Sequence, residues 1–583
     1  MADTDDRKQG ADADDFIPEY ASVHMRVAAP PPERVSVRKL EGAPAPPSSR
    51  RPGAPPPASS PAPGSTDSTL TDATDTPPVA PPDDPGAVSS EGAERASAHA
   101  IRKEGTVAFF NALKLAASLS LTWSVALIVT FKLPRYLGPL KYGYYSFAES
   151  FAATLFVFIG LGVDTYVQRE VPVRPKHASD FFLGFTLARL VLSLPLFLAG
   201  ALILHAKPAE VQAAAFLFGV VQIFTTMNET FAKMLQASTN VGGLAVSNVV
   251  AKILWGGGAF LLVTLEVPLA YLVLPMLAAE ALKACFLYAA ARRAIGLELK
   301  LDLGVTRAVI RESFPFFASA IAVTLGQKLD VTMLEFINPG EEVGYYGSAR
   351  QIATLSAFLA PIVSGVLIPM MRRAHERNEE DFYAILRRCL EGVVVVAVPV
   401  TLLFALGADY FIALALRKDF APGASSMQYL APTFVLSYGN VLLWVALMIL
   451  KRSWTISIVS IGGLVALPIL ILAFVPLTRG LGPGGAGMGA ALAVSVRELG
   501  VLLIFLYYLG RKATDRRSIA SIAATLAIAA AVFAMHRFLL GSAHPLVLLA
   551  IDGVVFLVLG LVARVYRVGE MLSVLKLIKN RGR

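Results

Sequence analysis

Gln327, Lys328 and Asp330 stand inside an apolar run from Ser313 to Phe336. A charge in a membrane-crossing helix costs about 2.5 to 3.5 kcal/mol even on the lenient insertion scale, so it persists mainly where it faces protein or a water-filled path. Two readings compete for Lys328 and Asp330. They line a polar path, or they snorkel to an interface, since Glu335, Glu341 and Glu342 follow soon after. Residues at i and i+2 do not share a helix face, so the two are not simply one another's partner. Other apolar runs are interrupted in the same way by Lys114, Glu149, Asp164, Arg189, Glu229, Lys233, Lys252, Arg350, Arg497 and Glu498. If Arg189, Lys252, Lys328 and Arg350 converge, they form a cationic chamber suited to a phosphate or pyrophosphate, which Arg and Lys hold by charge-assisted hydrogen bonds. Asp330, Glu149, Asp164 and Glu229 would then hold the cations in place or titrate with a coupling ion. For each residue the competing reading is a structural ion pair inside a helical bundle.

The chain that carries these charges has 583 residues, 55% of them hydrophobic, and a formal charge of +9. Its mean hydropathy of +0.59 comes from the part beyond residue 105 and marks an all-α polytopic membrane protein. Cys285 and Cys389 sit in or beside apolar runs and imply no disulfide framework. The histidines form no close-spaced ligand pattern, so no metal or other cofactor is expected. Gly480 to Gly485 is glycine-rich but lacks the Lys-Ser/Thr of a nucleotide-binding loop. The loops are short and carry no catalytic cluster. The reading is therefore a transporter and not an enzyme, driven by an ion gradient such as H+ or Na+, by membrane potential or by the substrate gradient, with no nucleic-acid partner.

Fourteen apolar runs of about 20 residues or more, the length a bilayer needs, lie between Val107 and Val565. Basic clusters follow the second, sixth, eighth, tenth, twelfth and fourteenth runs, for example Arg292 and Arg293, Arg372 and Arg373, and Arg516 and Arg517. The positive-inside rule then puts both termini in the cytoplasm. Lys132, Arg135 and Lys141, after the first run, are the main exception. The expected organisation is a Pro/Ala/Ser-rich disordered cytoplasmic tail over 1–104, a six-helix bundle over 105–290, a cytoplasmic amphipathic linker over 291–312, a second six-helix bundle over 313–510, and two extra membrane helices with a basic tail over 511–583.

Internal repetition supports two bundles. Pro139 and then Gly143-Tyr144-Tyr145 are echoed by Pro339 and Gly344-Tyr345-Tyr346, and Ala153-Thr154-Leu155 by Ala353-Thr354-Leu355. A one-residue slip inside the match sets Glu149 opposite either Arg350 or Ala349. Six runs separate the copies, so both have the same orientation and the halves should be related by a pseudo-twofold axis along the membrane normal, with rocking between them giving alternating access.

The stretch Leu137-Gly138-Pro139-Leu140-Lys141-Tyr142-Gly143-Tyr144-Tyr145-Ser146, then Gly160-Leu161-Gly162-Val163-Asp164 and Val167-Gln168-Arg169-Glu170, resembles bacterial polysaccharide-biosynthesis flippases of the multidrug/oligosaccharidyl-lipid/polysaccharide exporter superfamily. Gln327-Lys328-Leu329-Asp330, Val343-Gly344-Tyr345-Tyr346 to Ala349-Arg350, and Ser364 to Pro369 are similar to the matching part of the second half. The resemblance covers about residues 106–510. It implies a monomeric bacterial inner-membrane protein that turns undecaprenyl-pyrophosphate-linked oligosaccharide from the inner to the outer leaflet for cell-surface polysaccharide export. Arg189, Lys252, Lys328 and Arg350 would hold the pyrophosphate, the lipid tail would stay partly in the membrane lipids, and glycan-assembly proteins would meet the N-terminal tail. Fourteen spans also occur in the lipid II branch of that superfamily, which leaves lipid II flipping, or cation-coupled export of a drug or metabolite, as the alternative.

Overall fold

The computed structural model describes residues 124–238, 241–354, 360–539 and 544–563, and these are helical almost throughout. The tail over 1–104, Lys114 with the start of the first run, and the basic C-terminal segment lie outside the described residues. The first helix among the described residues is α1, over 124–156. As one rod α1 would be about 50 Å long, far more than the ~30 Å hydrocarbon layer. Gly138 in the left-handed region (φ 72), with Pro139 next, breaks it into two arms. A 3-10 turn, Val157–Gly160, leads to α2, Val163–Glu170. Then follow α3 (Ala178–Leu204), α4 (Ala209–Ala237), α5 (Val241–Thr264), α6 (Leu274–Ile295), α7 (Leu303–Ile337), α8 (Glu341–Thr354), α9 (Ala360–Arg377) and α10 (Glu379–Leu406). After the short α11 (Ala408–Ala415) come α12 (Gly423–Leu430), α13 (Pro432–Ile449), α14 (Ser453–Thr478), α15 (Gly485–Leu509), α16 (Arg516–Leu539) and α17 (Pro545–Val562).

Among the described residues ten helices are long and apolar enough to cross a membrane, or eleven if the bent pair 124–160 and Val163–Glu170 counts as one span. The four expected runs outside those ten are the two on α1 and α2, the one on α7, and the one shared by α8 and α9. These are the first two runs of each half, and they carry Glu149, Asp164, Lys328, Asp330 and Arg350. The expected linker over 291–312 is not a separate element: α6 runs on to Ile295, residues 296–302 are neither helix nor strand, and the remainder is the first part of α7, a single helix of 35 residues capped by Asp302. The Asp302 carboxylate accepts from the Val305 backbone N–H, which starts the helix earlier than hydropathy alone suggests.

The hydrophobic clusters differ at the two ends. At the end holding Pro139 and Gly340, one cluster joins both halves, including Tyr142, Phe147, Phe218, Val331, Tyr346 and Phe420. At the opposite end, which carries the basic loops, each half has its own: one around Val163, Phe181 and Leu287, another around Leu367, Phe382 and Leu443. A fourth, Val398, Ile528, Val532 and Phe556, fastens α16 and α17 to α10. At the joined end the repeated glycines meet. A Cβ on Gly143 would lie 3.0 Å from both the Gly340 carbonyl oxygen and the Gly344 nitrogen, and one on Gly344 would collide with the Pro139 carbonyl. Only glycine permits this backbone approach. Arg135, exceptional for its position, caps α11 there, donating to the Ala415 carbonyl at 2.8 Å and to that of Leu414.

The break at 157–162 is held from behind. Leu161 (φ 51) and Gly162 (φ 70) are left-handed, and the helix ladder lapses. Arg189 of α3, 2% exposed, donates through Nε to the Ile159 carbonyl at 3.0 Å and through Nη2 to the Gly160 carbonyl at 3.4 Å. It also donates to the Thr226 carbonyl at 3.3 Å and to Thr230 Oγ1 at 3.0 Å. Carbonyls freed inside a membrane need such partners.

Arg189→Met should therefore leave a broken helix with unmet carbonyls and destabilise the protein by about 3 kcal/mol or more, seen as a sharp loss of monodisperse protein in detergent. Gly344→Ala, by pushing α1 and α8 apart, should lower the apparent Tm of the purified protein by several degrees, about 1 to 3 kcal/mol; an unchanged Tm would refute the tight crossing.

Candidate functional site at the seam between the halves

Glu149, on the second arm of α1, and Lys328, on α7, face each other across the seam. Lys328 Nζ donates to Glu149 Oε1 at 2.8 Å. Their side chains keep 32% and 35% exposure, so the pair borders open space. Thr154 and Thr332, one turn along, approach to 3.4 Å. The charges acting on Glu149 are those of Lys328, Arg350 and Lys252. Of the four anticipated cations, Lys328 pairs directly with this carboxylate, and Arg350 and Lys252 act on it through space.

The three cations are held differently. Arg350 of α8 donates through Nε to Asp330 Oδ2 at 2.5 Å and through Nη2 to the Gln327 carbonyl. The Tyr346 hydroxyl donates to the same Asp330 oxygen at 2.5 Å. Asp330 is fully buried, and its Oδ1 has no partner among the described residues. Arg350 is therefore aimed by a buried carboxylate and a tyrosine, whereas Lys328 is tethered by an ion pair about a third exposed. Lys252 lies 4.5 Å from the centroid of the Trp255 ring, with Glu280 and Lys283 as further charged neighbours. Its ammonium lies over an aromatic face, and its charge is shared with those neighbours.

The remaining anticipated residues form another group. Asp164 Oδ1 accepts from Thr230 Oγ1 at 2.9 Å, and Thr230 in turn receives Arg189. Glu229 on α4 interacts electrostatically with Asp164 and Arg189 and with Lys233 and Lys283. This group braces the α1–α2 break. Arg189 does not join Lys252, Lys328 and Arg350: its donors are directed at backbone carbonyls and Thr230.

Three features were not anticipated from the sequence. Lys207, between α3 and α4, donates at 2.8 Å to Glu335 on α7, which is 1% exposed, beside the rings of Phe147 and Phe336. Asn228 Nδ2 bridges the backbone carbonyl and carboxylate of Glu280 at 2.9 and 2.8 Å. Asn440 Nδ2 does the same to Glu498 at 3.1 and 2.7 Å. These two clamps occupy the fourth and sixth runs of one half and the tenth and twelfth of the other. Asparagine and glutamate at matching places in both sets of apolar runs were the available signal.

The family model described as polysaccharide biosynthesis protein matches residues 110–375. No curated protein matches the sequence. Among solved structures, the lipid II flippase MurJ in an inward closed conformation aligns with a TM-score of 0.61 at 15% identity, over 78% of this chain and 99% of that one. A MOP superfamily transporter from Pyrococcus furiosus, described as having reversed binding-pocket polarity, aligns with a TM-score of 0.51 at 14% identity, over 70% of this chain and 96% of that one. Residues 110–375 thus match the polysaccharide biosynthesis protein model, and the chain shares its multi-pass helical fold with a lipid II flippase and a MOP superfamily transporter.

Proposed function

We propose that the protein is an alternating-access flippase carrying a polyprenyl-pyrophosphate-linked glycan from the inner to the outer leaflet of a bacterial inner membrane. The observation that carries this reading is the pairing of Lys328 with Glu149 at the seam between the halves, with Arg350 and Lys252 acting on that carboxylate through space. In this reading a pyrophosphate entering the seam displaces the Glu149 carboxylate from Lys328. Arg350, already aimed by Asp330 and Tyr346, supplies a second, fixed cation, and Lys252 a third. Displaced Glu149 then takes up a proton or a sodium ion, which couples transport to a gradient. Arg189, Asp164 and Glu229 serve the path indirectly, by bracing the bent helix that carries Glu149.

The wider organisation belongs to the same proposal. Fourteen spans, comprising bundles over 105–290 and 313–510 and two further helices within 511–583, would be traversed with both termini in the cytoplasm, on the side of the basic loops. The joined hydrophobic cluster at the opposite end and the separate clusters at the basic end favour a conformation closed on the outer side. The chain would act as a monomer, with the N-terminal tail available to glycan-assembly proteins. Lipid II as cargo is the second reading, favoured by the fold likeness to a lipid II flippase over 99% of that chain.

Translocation of fluorescent lipid-linked oligosaccharide and of lipid II should be compared in proteoliposomes. Lys328→Ala is expected to fold, since its ion pair is about a third exposed, and to lower the translocation rate about tenfold or more through loss of a charge-assisted contact. Equal rates for wild type and variant would refute the role of Lys328, and faster transport of lipid II would favour the second reading.

A further inference from the structure

The Asn–Glu clamp occurs in both halves, yet the two copies are differently surrounded. Asn228 is sealed at 1% exposure. Asn440 borders a cavity of about 400 Å³ between α7, α13, α14 and α15, together with Gln327, Trp444, Ser460, Arg497 and Glu498. That volume lies in the range of small-molecule sites. Two buried polar atoms at this cavity have no partner among the described residues: the Asn440 Oδ1 acceptor and the Arg497 Nε donor. Arg497 otherwise pairs with Glu498 and donates through Nη1 to the Gly326 carbonyl at 2.6 Å. The cavity wall includes Gln327, whose backbone carbonyl receives Arg350 Nη2, so the cavity adjoins the fixed cation of the seam.

We infer that this cavity is a binding subsite for one uncharged sugar, the residue attached directly to the pyrophosphate. The inference rests on the flippase reading above and adds a specificity to it. A sugar hydroxyl is both donor and acceptor, so it suits a site offering one orphan acceptor, one orphan donor and the two-sided amide of Gln327. The Trp444 indole, 40% exposed, supplies a flat apolar surface for the C–H face of a pyranose. The Arg497 charge is already cancelled by Glu498, so the site carries no net cation for a uronic acid, and the Glu498 carboxylate would oppose one. By contrast, the larger cavity of about 650 Å³ beside Phe151, Phe156, Phe197 and Phe216 offers little beyond hydrocarbon and Gln212.

The test measures binding of three short-tailed probes to the purified full-length protein: farnesyl pyrophosphate, farnesyl-pyrophosphoryl-hexose and farnesyl-pyrophosphoryl-hexuronate. Wild type should prefer the hexose probe to the bare pyrophosphate by about tenfold, the effect of roughly one well-made set of polar contacts, and should show no such preference for the hexuronate. Trp444→Leu should bring the hexose preference close to one, Trp444→Phe should keep most of it, and Ser460→Ile, which fills the cavity, should abolish it. A wild type indifferent to the sugar, a hexuronate bound as tightly as the hexose, or a preference surviving in both Trp444→Leu and Ser460→Ile would each overturn the inference. The outcome is separable from that of the flippase reading. Sugar-dependent binding without translocation of any probe would refute the flippase and leave the subsite standing, whereas translocation blind to the sugar would do the reverse.

Discussion

A backbone that leaves the helical ladder inside a membrane must find partners for its freed carbonyls within the protein. At 157–162 this chain does so with a single guanidinium, and much of the architecture depends on it. Arg189 reaches Ile159, Gly160, Thr226 and Thr230, so it ties the broken second run to α3 and α4 at once. Thr230 passes the connection to Asp164, the second residue of α2. With that end fixed, the second arm of α1 can hold Glu149 against α7 while its other end crosses α8 at Gly143 and Gly344. A charge that would be costly in hydrocarbon is tolerable here because every partner comes from the fold itself.

The two sets of apolar runs share devices and use them unequally. The glycine crossing is reciprocal, with Gly143 against Gly344 and Gly344 against Pro139. Counted without the one-residue slip, the sequence register that pairs Gly143 with Gly344 sets Glu149 opposite Arg350, an acid against a base. Both clamps of asparagine on glutamate are kept as internal struts. On each clamp glutamate rests a basic residue, Lys283 at 3.8 Å in one half and Arg497 in the other.

Much of this was legible in the sequence, and what was not has a physical reason. Apolar runs mark helices by length alone, which suffices for the ten that stand as individual spans. Helix starts and bends depend on local chemistry that hydropathy averages away. The Asp302 cap extends α7 through a stretch read as linker, and the left-handed Leu161 breaks a run that hydropathy marks only as apolar. The spacing of Lys328 and Asp330 indicated different faces, and in the structure one meets Glu149 while the other meets Arg350 and Tyr346. Arg189 looked equivalent to the other cations because a sequence counts charges without their partners. Only the fold reveals that its donors are turned toward backbone carbonyls. The two clamps and the Lys207–Glu335 pair were hidden for the same reason, since their partners lie 52, 58 and 128 residues apart.

The contrast between the two ion pairs at the seam explains how one site can be both rigid and responsive. Asp330 and Arg350 meet where the carboxylate is fully buried, and separating a pair of that kind strands a charge at a cost of several kcal/mol. That pair is fixed structure. Lys328 and Glu149 meet with about a third of each side chain exposed, where solvent screens the attraction and exchanging partners costs about 1 kcal/mol or less. In the proposed flippase, an arriving anion would meet one cation it cannot move and another it could capture, and the carboxylate left behind would sit on the arm whose far end crosses α8. Capture of Lys328 would remove a tie between α1 and α7 at the same moment as it freed Glu149 to bind a cation of its own. On that proposal a single exchange of partners would link cargo, coupling ion and the contact between the two sides of the seam, with no need for the buried pair to change.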